Sequence, residues 1–382
     1  MNDAPPSYLD HASGEPLHPA AREALERALP HGHADPRALH LPGRRARMLL
    51  DNARAVVAEC LEVTPEEVTF TPSGTHAVHL GLLGLHRGRA RQGRALVPTA
   101  VEHSAVLQAA RWTGDPVVAV GVDSAGRVPV EALLEAVATA RAGDDGVSVV
   151  AVQSANHEVG TLQPVTEVAD LLHDVPVFTD ACASMGRLPL PRGWSAAAGS
   201  AHKWGGPTGV GVLLVRRGAR WRPPFPVDER LDPRSTGFEN VPGALAAAAA
   251  LQAVVADREA TAARQHGLVD RIRRSVSAIP DTEVVGDPGR RLPHLVTFSF
   301  LYLAGEAVVT GLDRLGVAVA SGSACTASTL EPSHVLAAMG ALTQGNVRLS
   351  VGPTTTDAEV DRLLAELPGL VRRLRDDSGV PR

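Results

Sequence analysis

Short apolar segments alternate with segments of helical periodicity between residues 68 and 179, and this alternation limits the fold more than any other feature of the sequence. The predicted strands are 68–70, 95–97, 117–122, 147–152 and 175–179, with a further strand at 210–216. The predicted helices are 17–29, 44–61, 130–140 and 165–172, and two more begin near Thr75 and Ser104. Such alternation gives a mostly parallel sheet with helices on both faces. The sequence therefore predicts an α/β fold whose ligands bind at the carboxyl ends of the strands.

The rest of the chain predicts a second, smaller C-terminal α/β domain. A helical stretch at 241–279 leads into it, followed by expected strands at 295–300 and 347–351 and expected helices at 305–315 and 357–373. A chain of 382 residues is long enough for two domains. We predict a large domain over residues 15–255 and a small domain formed by residues 1–14 and 256–382.

The composition narrows the possible partners and locations. The formal net charge is -5 and no lysine- and arginine-rich run is present, so we expect no direct nucleic-acid binding. The longest apolar run, 244–255, is shorter than the roughly 20 residues that span a bilayer, so we expect no membrane segment. The three cysteines lack C-x-x-C spacing and predict neither a disulfide framework nor a metal site. Because the first residues lack the pattern of a signal peptide, we expect a cytoplasmic protein.

Lys203 is the single lysine of the chain, and every other lysine-or-arginine position is arginine. Arginine serves as a surface cation or ion-pair partner, but it does not present a primary amine that condenses with a carbonyl. Ser200, His202 and two glycines surround Lys203 in the sequence. We interpret it as a Schiff-base lysine; the alternative is a surface lysine left in an arginine-biased chain.

Three further positions follow predicted strands and supply the other parts of a cofactor site. The turn that contains Gly74 and Thr75 opens a helix and suits a phosphate, although it also reads as an ordinary helix cap. His103 could stack on a ring or move a proton, or simply begin a helix. Asp180 ends an apolar strand and needs a cationic partner or hydrogen bonds, with helix capping as the alternative. Together with Lys203, these residues predict a pyridoxal 5'-phosphate site.

A segment of small and polar residues at 321–333 carries Cys325. A buried cysteine normally has larger apolar neighbours. We therefore interpret Cys325 as a reactive thiol rather than a structural one, and Cys60 and Cys182 as core residues.

With these residues in place, the sequence resembles the cysteine desulfurases, pyridoxal-phosphate enzymes of the aminotransferase class V group, from residue 8 to residue 352. The most specific matches are Ser200-x-His202-Lys203, Glu102-His103, the segment from Ser321 to Cys325 that continues to Leu330-Glu331-Pro332-Ser333, and Asn346-Val347-Arg348-Leu349-Ser350. The long segment after the cysteine resembles the subgroup that carries sulfur to protein acceptors. The resemblance implies a fold-type-I enzyme, a homodimer and L-cysteine as substrate.

The resemblance also implies a role for each matching residue. Lys203 holds the cofactor and moves protons, His103 stacks on the ring, Asp180 pairs with the ring nitrogen and Asn156 lies beside the ring and the substrate. The phosphate is held by Gly74, Thr75, Ser200 and His202, and the substrate carboxylate by Arg348. Cys325 attacks the sulfur of the bound cysteine, which leaves a persulfide on the enzyme and releases alanine for transfer of the sulfur to an acceptor protein.

The sequence departs from the family pattern at the site itself. The changed positions are Gly14-Glu15 in place of two threonines, His76 for a glutamate, His157 for an asparagine, Ala183 for a glutamine and Ser235-Thr236-Gly237-Phe238 for an Arg-x-Gly-Thr segment. Because Ala183 offers no donor to the cofactor's ring oxygen, we hypothesise that His157 supplies this hydrogen bond. We predict a cysteine desulfurase; the alternatives are a lyase or transaminase acting on another amino acid, and a weakened scaffold protein.

Overall fold

A computed structural model describes residues 6–143, 145–227, 232–235, 237–321 and 332–379. The strands are β1 (Ser7–Tyr8), β2 (Val68–Thr71), β3 (Ala95–Pro98), β4 (Val147–Ala151), β5 (Val177–Asp180), β6 (Ala196–Ser200), β7 (Gly211–Val215), β8 (Thr282–Val285), β9 (Leu295–Phe300), β10 (Val317–Ala318) and β11 (Asn346–Ser350). The α-helices are α1 (Pro19–Ala28), α2 (Leu41–Leu61), α3 (Gly74–Gly88), α4 (Ser104–Trp112), α5 (Val130–Ala142), α6 (Val165–Leu171), α7 (Val241–Ala256), α8 (Arg258–Ser277), α9 (Gly305–Arg314), α10 (His334–Met339) and α11 (Asp357–Asp377). Short 3-10 helices span Pro65–Glu67 and Ala201–Trp204.

The central sheet has six strands in the order β2-β7-β6-β5-β4-β3. Strands β3 to β6 pair in parallel, whereas β7 is antiparallel to both β6 and β2. Strand β2 therefore points in the same direction as β3 to β6, and all five end at one edge of the sheet. The predicted mostly parallel sheet is confirmed.

Helices cover both faces of this sheet, and the side chains of β7 show how. Val212 and Leu214 are buried in the apolar core that α2 and α7 form on one face. Leu213 and Val215 alternate with them and are buried against α3 and α4 on the other face. Burial of an aliphatic side chain of this size contributes about 1.5–3 kcal/mol. The sheet is thus held from both sides, and its strand ends are fixed relative to one another.

A second, antiparallel sheet has the order β11-β9-β8 and packs with α8, α9 and α11 around a core of its own. Leu9 lies in this core, and β1 pairs in parallel with β10, so the beginning of the described chain joins its C-terminal part. The predicted helical stretch at 241–279 is two helices, because α7 ends at Ala256 and α8 begins at Arg258. The division at residues 14/15 and 255/256 stays a prediction.

One strand prediction is wrong, and one strand of the central sheet was not predicted. Residues 117–122 do not form a strand: only Val117 and Val120 make isolated bridges beside β3, and Val118 lies exposed. Strand β6, with the sequence Ala-Ala-Ala-Gly-Ser, was not predicted because small residues have low β-propensity. Packing requires the glycine of this strand, since a Cβ on Gly199 would lie 2.2 Å from the sulfur of Met185.

No helix in the described part of the chain combines the length and apolar character needed to cross a membrane.

Candidate active site

Residues that follow five of the strands meet in a cavity of about 270 Å³ at the carboxyl edge of the central sheet. The cavity is lined by these sequence-predicted residues: Gly74, Thr75, His103, His157, Asp180, Ser200, His202, Lys203 and Arg348. Further lining residues include Ala12, Ser13, Cys182 and Ala183. The lining residues from Gly74 to Lys203, which span 130 positions, are therefore brought together by the shared direction of β2 to β6.

Lys203 lies in the 3-10 turn that directly follows β6. The turn ends at Gly205, whose φ of 80° is a conformation that side chains with a Cβ rarely adopt. The guanidinium of Arg187 donates to the backbone oxygen of Lys203 at 3.0 Å. The backbone position of the lysine is thus fixed by the turn and by a buried cation behind it.

The first turn of α3 forms one end of the cavity. Ser73 caps this helix, because its hydroxyl accepts from the backbone N–H of His76 at 3.0 Å. A Cβ on Gly74 would lie 2.6 Å from the Cβ of Ser200, so only glycine permits the helix to begin this close to β6. Ser200 Oγ in turn lies 3.1 Å from His202 Nδ1. A helix start with a hydroxyl and an imidazole beside it is suited to an anion such as phosphate.

His103 caps a helix and lines the cavity. Its Nδ1 accepts from the backbone N–H of Ala105 at 3.1 Å and caps α4. In the neutral ring the proton therefore sits on Nε2. Burial lowers the pKa of His103, although the nearby Asp180 carboxylate acts in the opposite direction. The residue is a helix cap that also lines the cavity with a neutral, titratable ring.

Asp180 ends β5 at the cavity, as its position in the sequence predicted. One carboxylate oxygen, Oδ1, accepts from the backbone N–H of Cys182 at 2.8 Å. Cys182, which was predicted to be a core residue, packs against the core that α3 and α4 form and also lines the cavity. Burial, together with the charge of Asp180, raises the pKa of its thiol well above the ordinary value, so the thiol stays protonated.

The structure brings His157 rather than Asn156 to the cavity. The amide of Asn156 is committed to the loop, because Nδ2 donates to the Val101 backbone oxygen at 3.0 Å and Oδ1 accepts from the backbone N–H groups of Glu158 and Val159. The ring of His157 packs edge-on against that of His103, with 4.9 Å between the centroids. Burial and nearby cationic groups lower the pKa of His157 well below the ordinary value. Its Nδ1 is buried and has no hydrogen-bond partner among the described residues.

Arg348 is buried on β11 and oriented by three groups. Nη1 donates to the backbone oxygen of His157 at 3.1 Å, and Nη2 donates to Asp10 Oδ1 at 3.1 Å and to Ser13 Oγ at 2.6 Å. Sequence analysis missed Asp10 and Ser13, because no local pattern connects them with a residue more than three hundred positions away. The Nε atom of Arg348 is buried and has no hydrogen-bond partner in the described ranges.

Two buried carboxyl groups flank the cavity. Burial raises the pKa of Glu102 to about 8 and that of Glu158 to about 7. Glu102 accepts from the backbone N–H of Gln153 at 2.7 Å, and Glu158 accepts from the hydroxyl of Ser333 at 2.5 Å. Ser333 caps α10 at the end of the segment that carries Cys325, so Glu158 anchors the helix that follows this segment.

Cys325 itself lies outside the described residues, as do Thr236 and Glu331. The prediction that Cys325 is a reactive thiol is therefore carried by the sequence alone.

The described residues fit pyridoxal phosphate. The close approach at Gly74 leaves a cradle at a helix start for the phosphate, and Asp180 and Lys203 supply a carboxylate and a primary amine in the same cavity. Two buried polar atoms that have no partner among the described residues, His157 Nδ1 and Arg348 Nε, are groups that a ligand would satisfy. The donor set thus suits a molecule with a phosphate, a protonated ring nitrogen and a carbonyl.

Comparisons with known proteins agree with this chemistry. The aminotransferase class-V family model matches residues 7–363. An IscS-like cysteine desulfurase from Mycobacterium tuberculosis is 38% identical over 386 residues, which cover 97% of this chain and 97% of that protein. A cysteine desulfurase from Archaeoglobus fulgidus is 32% identical over 381 residues, covering 97% of this chain and 98% of that protein. A solved structure of a NifS-like protein is similar with a TM-score of 0.87 at 27% identity, covering 97% of this chain and 100% of that one.

Proposed function

Because the chain belongs to the cysteine desulfurase family of the aminotransferase class-V group, we propose that it removes sulfur from L-cysteine with pyridoxal phosphate held at Lys203. One observation carries this proposal. The single lysine of the chain lines the same cavity as Asp180, the start of α3 and Arg348. This cavity combines an amine, a carboxylate, an anion cradle and a buried cation, and each of them has a part in the reaction.

The first task of these residues is to bind and orient the cofactor. The N–H groups at Gly74 and Thr75, with Ser200 and His202, would hold the phosphate. Asp180 would keep the ring nitrogen protonated, and pyridoxal phosphate then supplies an electron sink. Its carboxylate is already oriented by the N–H of Cys182.

Arg348 would bind the carboxylate of the substrate. Its guanidinium is held by Asp10, Ser13 and the backbone of His157 before any ligand arrives. A cation oriented in advance loses little conformational freedom when it pairs with a carboxylate.

His103 would move protons at the cavity. In its neutral form the ring presents Nε2–H, because Nδ1 is occupied by the N–H of Ala105. The lowered pKa keeps the ring predominantly neutral at physiological pH, so it can take up a proton and return it.

Cys325 would act as the sulfur acceptor. Its thiolate attacks the sulfur of the bound cysteine, forming a sulfur–sulfur bond while the carbon–sulfur bond breaks. The carbon keeps the electron pair and takes up a proton, which gives alanine and a persulfide on the enzyme. An acceptor protein that receives this sulfur, a homodimer and a cytoplasmic location are proposals that rest on the resemblance and the sequence.

The test is incubation with L-cysteine and separate measurement of alanine and of persulfide. We expect Cys325→Ala to abolish persulfide formation while the visible absorption of the cofactor, and its change on adding cysteine, are retained. Cys60→Ala is the matched control, because Cys60 is partly buried beside the core that α2 and α7 form, and this variant should keep both products. If Cys325→Ala still consumed L-cysteine at the parent rate, a lyase reaction would replace the proposed one.

A further inference from the structure

A second cavity of about 430 Å³ lies on the other side of the lysine-bearing turn. It is bounded by the N-terminal segment, by that turn and by the junction of α7 and α8. Its walls are largely apolar and include Leu17, Trp204, Val254 and Pro293. Cavities of this size and character typically bind small molecules.

Three buried, ionisable side chains form a polar end of this cavity. Arg187 Nη2 donates to Glu15 Oε1 at 2.7 Å, and His11 Nδ1 lies 2.6 Å from Glu15 Oε2. The side chains of Arg187, Glu15 and His11 are 7%, 6% and 5% exposed. Burial alone would raise the pKa of Glu15, but the hydrogen bond from His11 and the charge of Arg187 hold it below the ordinary value. Arg187 and Glu15 therefore form a buried ion pair, and the imidazole of His11 is hydrogen-bonded to its carboxylate.

Arg187 has donors that this network does not use. The hydrogen bonds that it makes within the described chain, to Glu15, to His11 and to Lys203, all leave from Nη2. The N–H groups on Nη1 and Nε are left for an acceptor in the cavity that Arg187 lines. Neither nitrogen is among the fully buried atoms that lack a partner in the described chain, so both are accessible to an acceptor group of a ligand in the cavity.

From this combination we propose that the second cavity is a binding site for a small molecule with an apolar body and one carboxylate. The apolar walls would cover the body, and the unused N–H groups of Arg187 would bind the carboxylate. A carboxylate is favoured over a neutral acceptor because charge-assisted hydrogen bonds to a buried guanidinium are the stronger kind.

The site is joined directly to the turn that holds Lys203. Arg187 donates to the Lys203 backbone oxygen at 3.0 Å. The backbone N–H of Glu15 donates to the backbone oxygen of His202 at 2.8 Å, and that of His18 donates to the backbone oxygen of Gly205 at the same distance. A ligand that contacts Arg187 therefore touches the groups that position the lysine, which gives it a physical route to modulate the first cavity.

The test uses the cofactor-loaded protein and two probes, 4-phenylbutanoate and its neutral amide, with binding measured by titration calorimetry. We expect saturable binding of the acid and at least tenfold weaker binding of the amide. Ala262→Trp should fill the cavity from α8 and weaken binding of the acid at least tenfold. Ala263→Trp is the matched control, because Ala263 is exposed on the same helix outside the cavity lining, and it should bind like the parent.

A second variant, Val254→Trp, fills the same cavity from α7 and keeps the test decisive if Ala262→Trp does not fold. Folding of each variant is checked by its thermal midpoint and by the visible band of its cofactor. Acid binding that persists in both cavity-filling variants would place the probe elsewhere, for example at Arg348, and would overturn the proposal. Absence of saturable binding to the parent, or equal affinity for acid and amide, would overturn it as well.

Discussion

At the scale of single residues, two departures from the family pattern lie in the lining of the active-site cavity. Ala183 and His157 both line it. The alanine removes a donor, while the imidazole brings a buried Nδ1 that has no partner in the described part of the chain. The hypothesis that His157 donates to the cofactor's ring oxygen therefore stays open, now with a specific atom available for it.

The exchange of His157 for alanine tests this hypothesis. A hydrogen bond to the ring oxygen stabilises negative charge there, so its loss should raise the pKa that is read from the visible band of the cofactor. We expect a rise of about one unit, equivalent to about 1.4 kcal/mol, in a pH titration without substrate. His157→Asn restores a donor of the family type and should return the pKa toward that of the parent. An unchanged or lowered pKa in His157→Ala would contradict the hypothesis.

At the scale of elements, the start of α3 is positioned by its contact with β6. Gly74 permits this contact, since the Cβ of any other residue would lie 2.6 Å from Ser200. The same close approach puts the helix start beside the hydroxyl of Ser200, where the phosphate is proposed to bind. The glycine is thus required by packing between two elements rather than by its own dihedral angles.

We expect Gly74→Ala to weaken binding of pyridoxal phosphate at least tenfold, about 1.4 kcal/mol, because the helix start must move away from β6. Binding of pyridoxal, which lacks the phosphate, should weaken less. The affinities are measured by fluorescence titration of the cofactor-free protein. Gly267→Ala is the control, since an added Cβ at this position on α8 meets open space, and it should bind both compounds like the parent. Equal losses for the two compounds would argue against a phosphate site at Gly74.

At the scale of the whole molecule, the fold is that of fold-type-I pyridoxal-phosphate enzymes, and it buries two carboxyl groups beside its active-site cavity. The pKa of Glu102 is raised to about 8 and that of Glu158 to about 7, with burial as the main cause. A glutamate in the unfolded chain titrates near pH 4.3. The unfolded state therefore releases these protons at a lower pH than the folded state does.

The consequence is a stability that falls as the pH rises. The contribution of both carboxyls is fully present below about pH 4 and is lost as the pH rises through 7 and 8. Glu102→Gln keeps an acceptor for the N–H of Gln153 but does not ionise. We expect the unfolding free energy of the parent to fall by about 3 kcal/mol more than that of Glu102→Gln between pH 5 and 8. Urea titrations of the cofactor-loaded proteins measure this difference, and Glu135→Gln, at an exposed position of α5, should behave like the parent. Parallel pH dependences of parent and Glu102→Gln would refute this assignment.

The sequence alone determined the α/β class, the mostly parallel sheet and most of the residues at its carboxyl edge. Periodicity and strand ends are local properties, and a lone lysine is visible without any structure. The position of β6 was not accessible in this way, because its small residues have low β-propensity although the strand is buried on both faces and Gly199 packs closely against Met185. The choice between Asn156 and His157 was likewise decided by the loop, whose backbone N–H groups occupy the asparagine amide.

Only the tertiary structure brought Asp10 and Ser13 to Arg348, and Glu15 to Arg187. Such pairs are separated by more than 170 positions and leave no periodic pattern in the sequence. They form because burying a charged group requires hydrogen-bond partners from whichever segments the fold places nearby. The sequence shows which side chains have reactive or charged groups, whereas the packing of distant segments determines the hydrogen-bond partners that orient them.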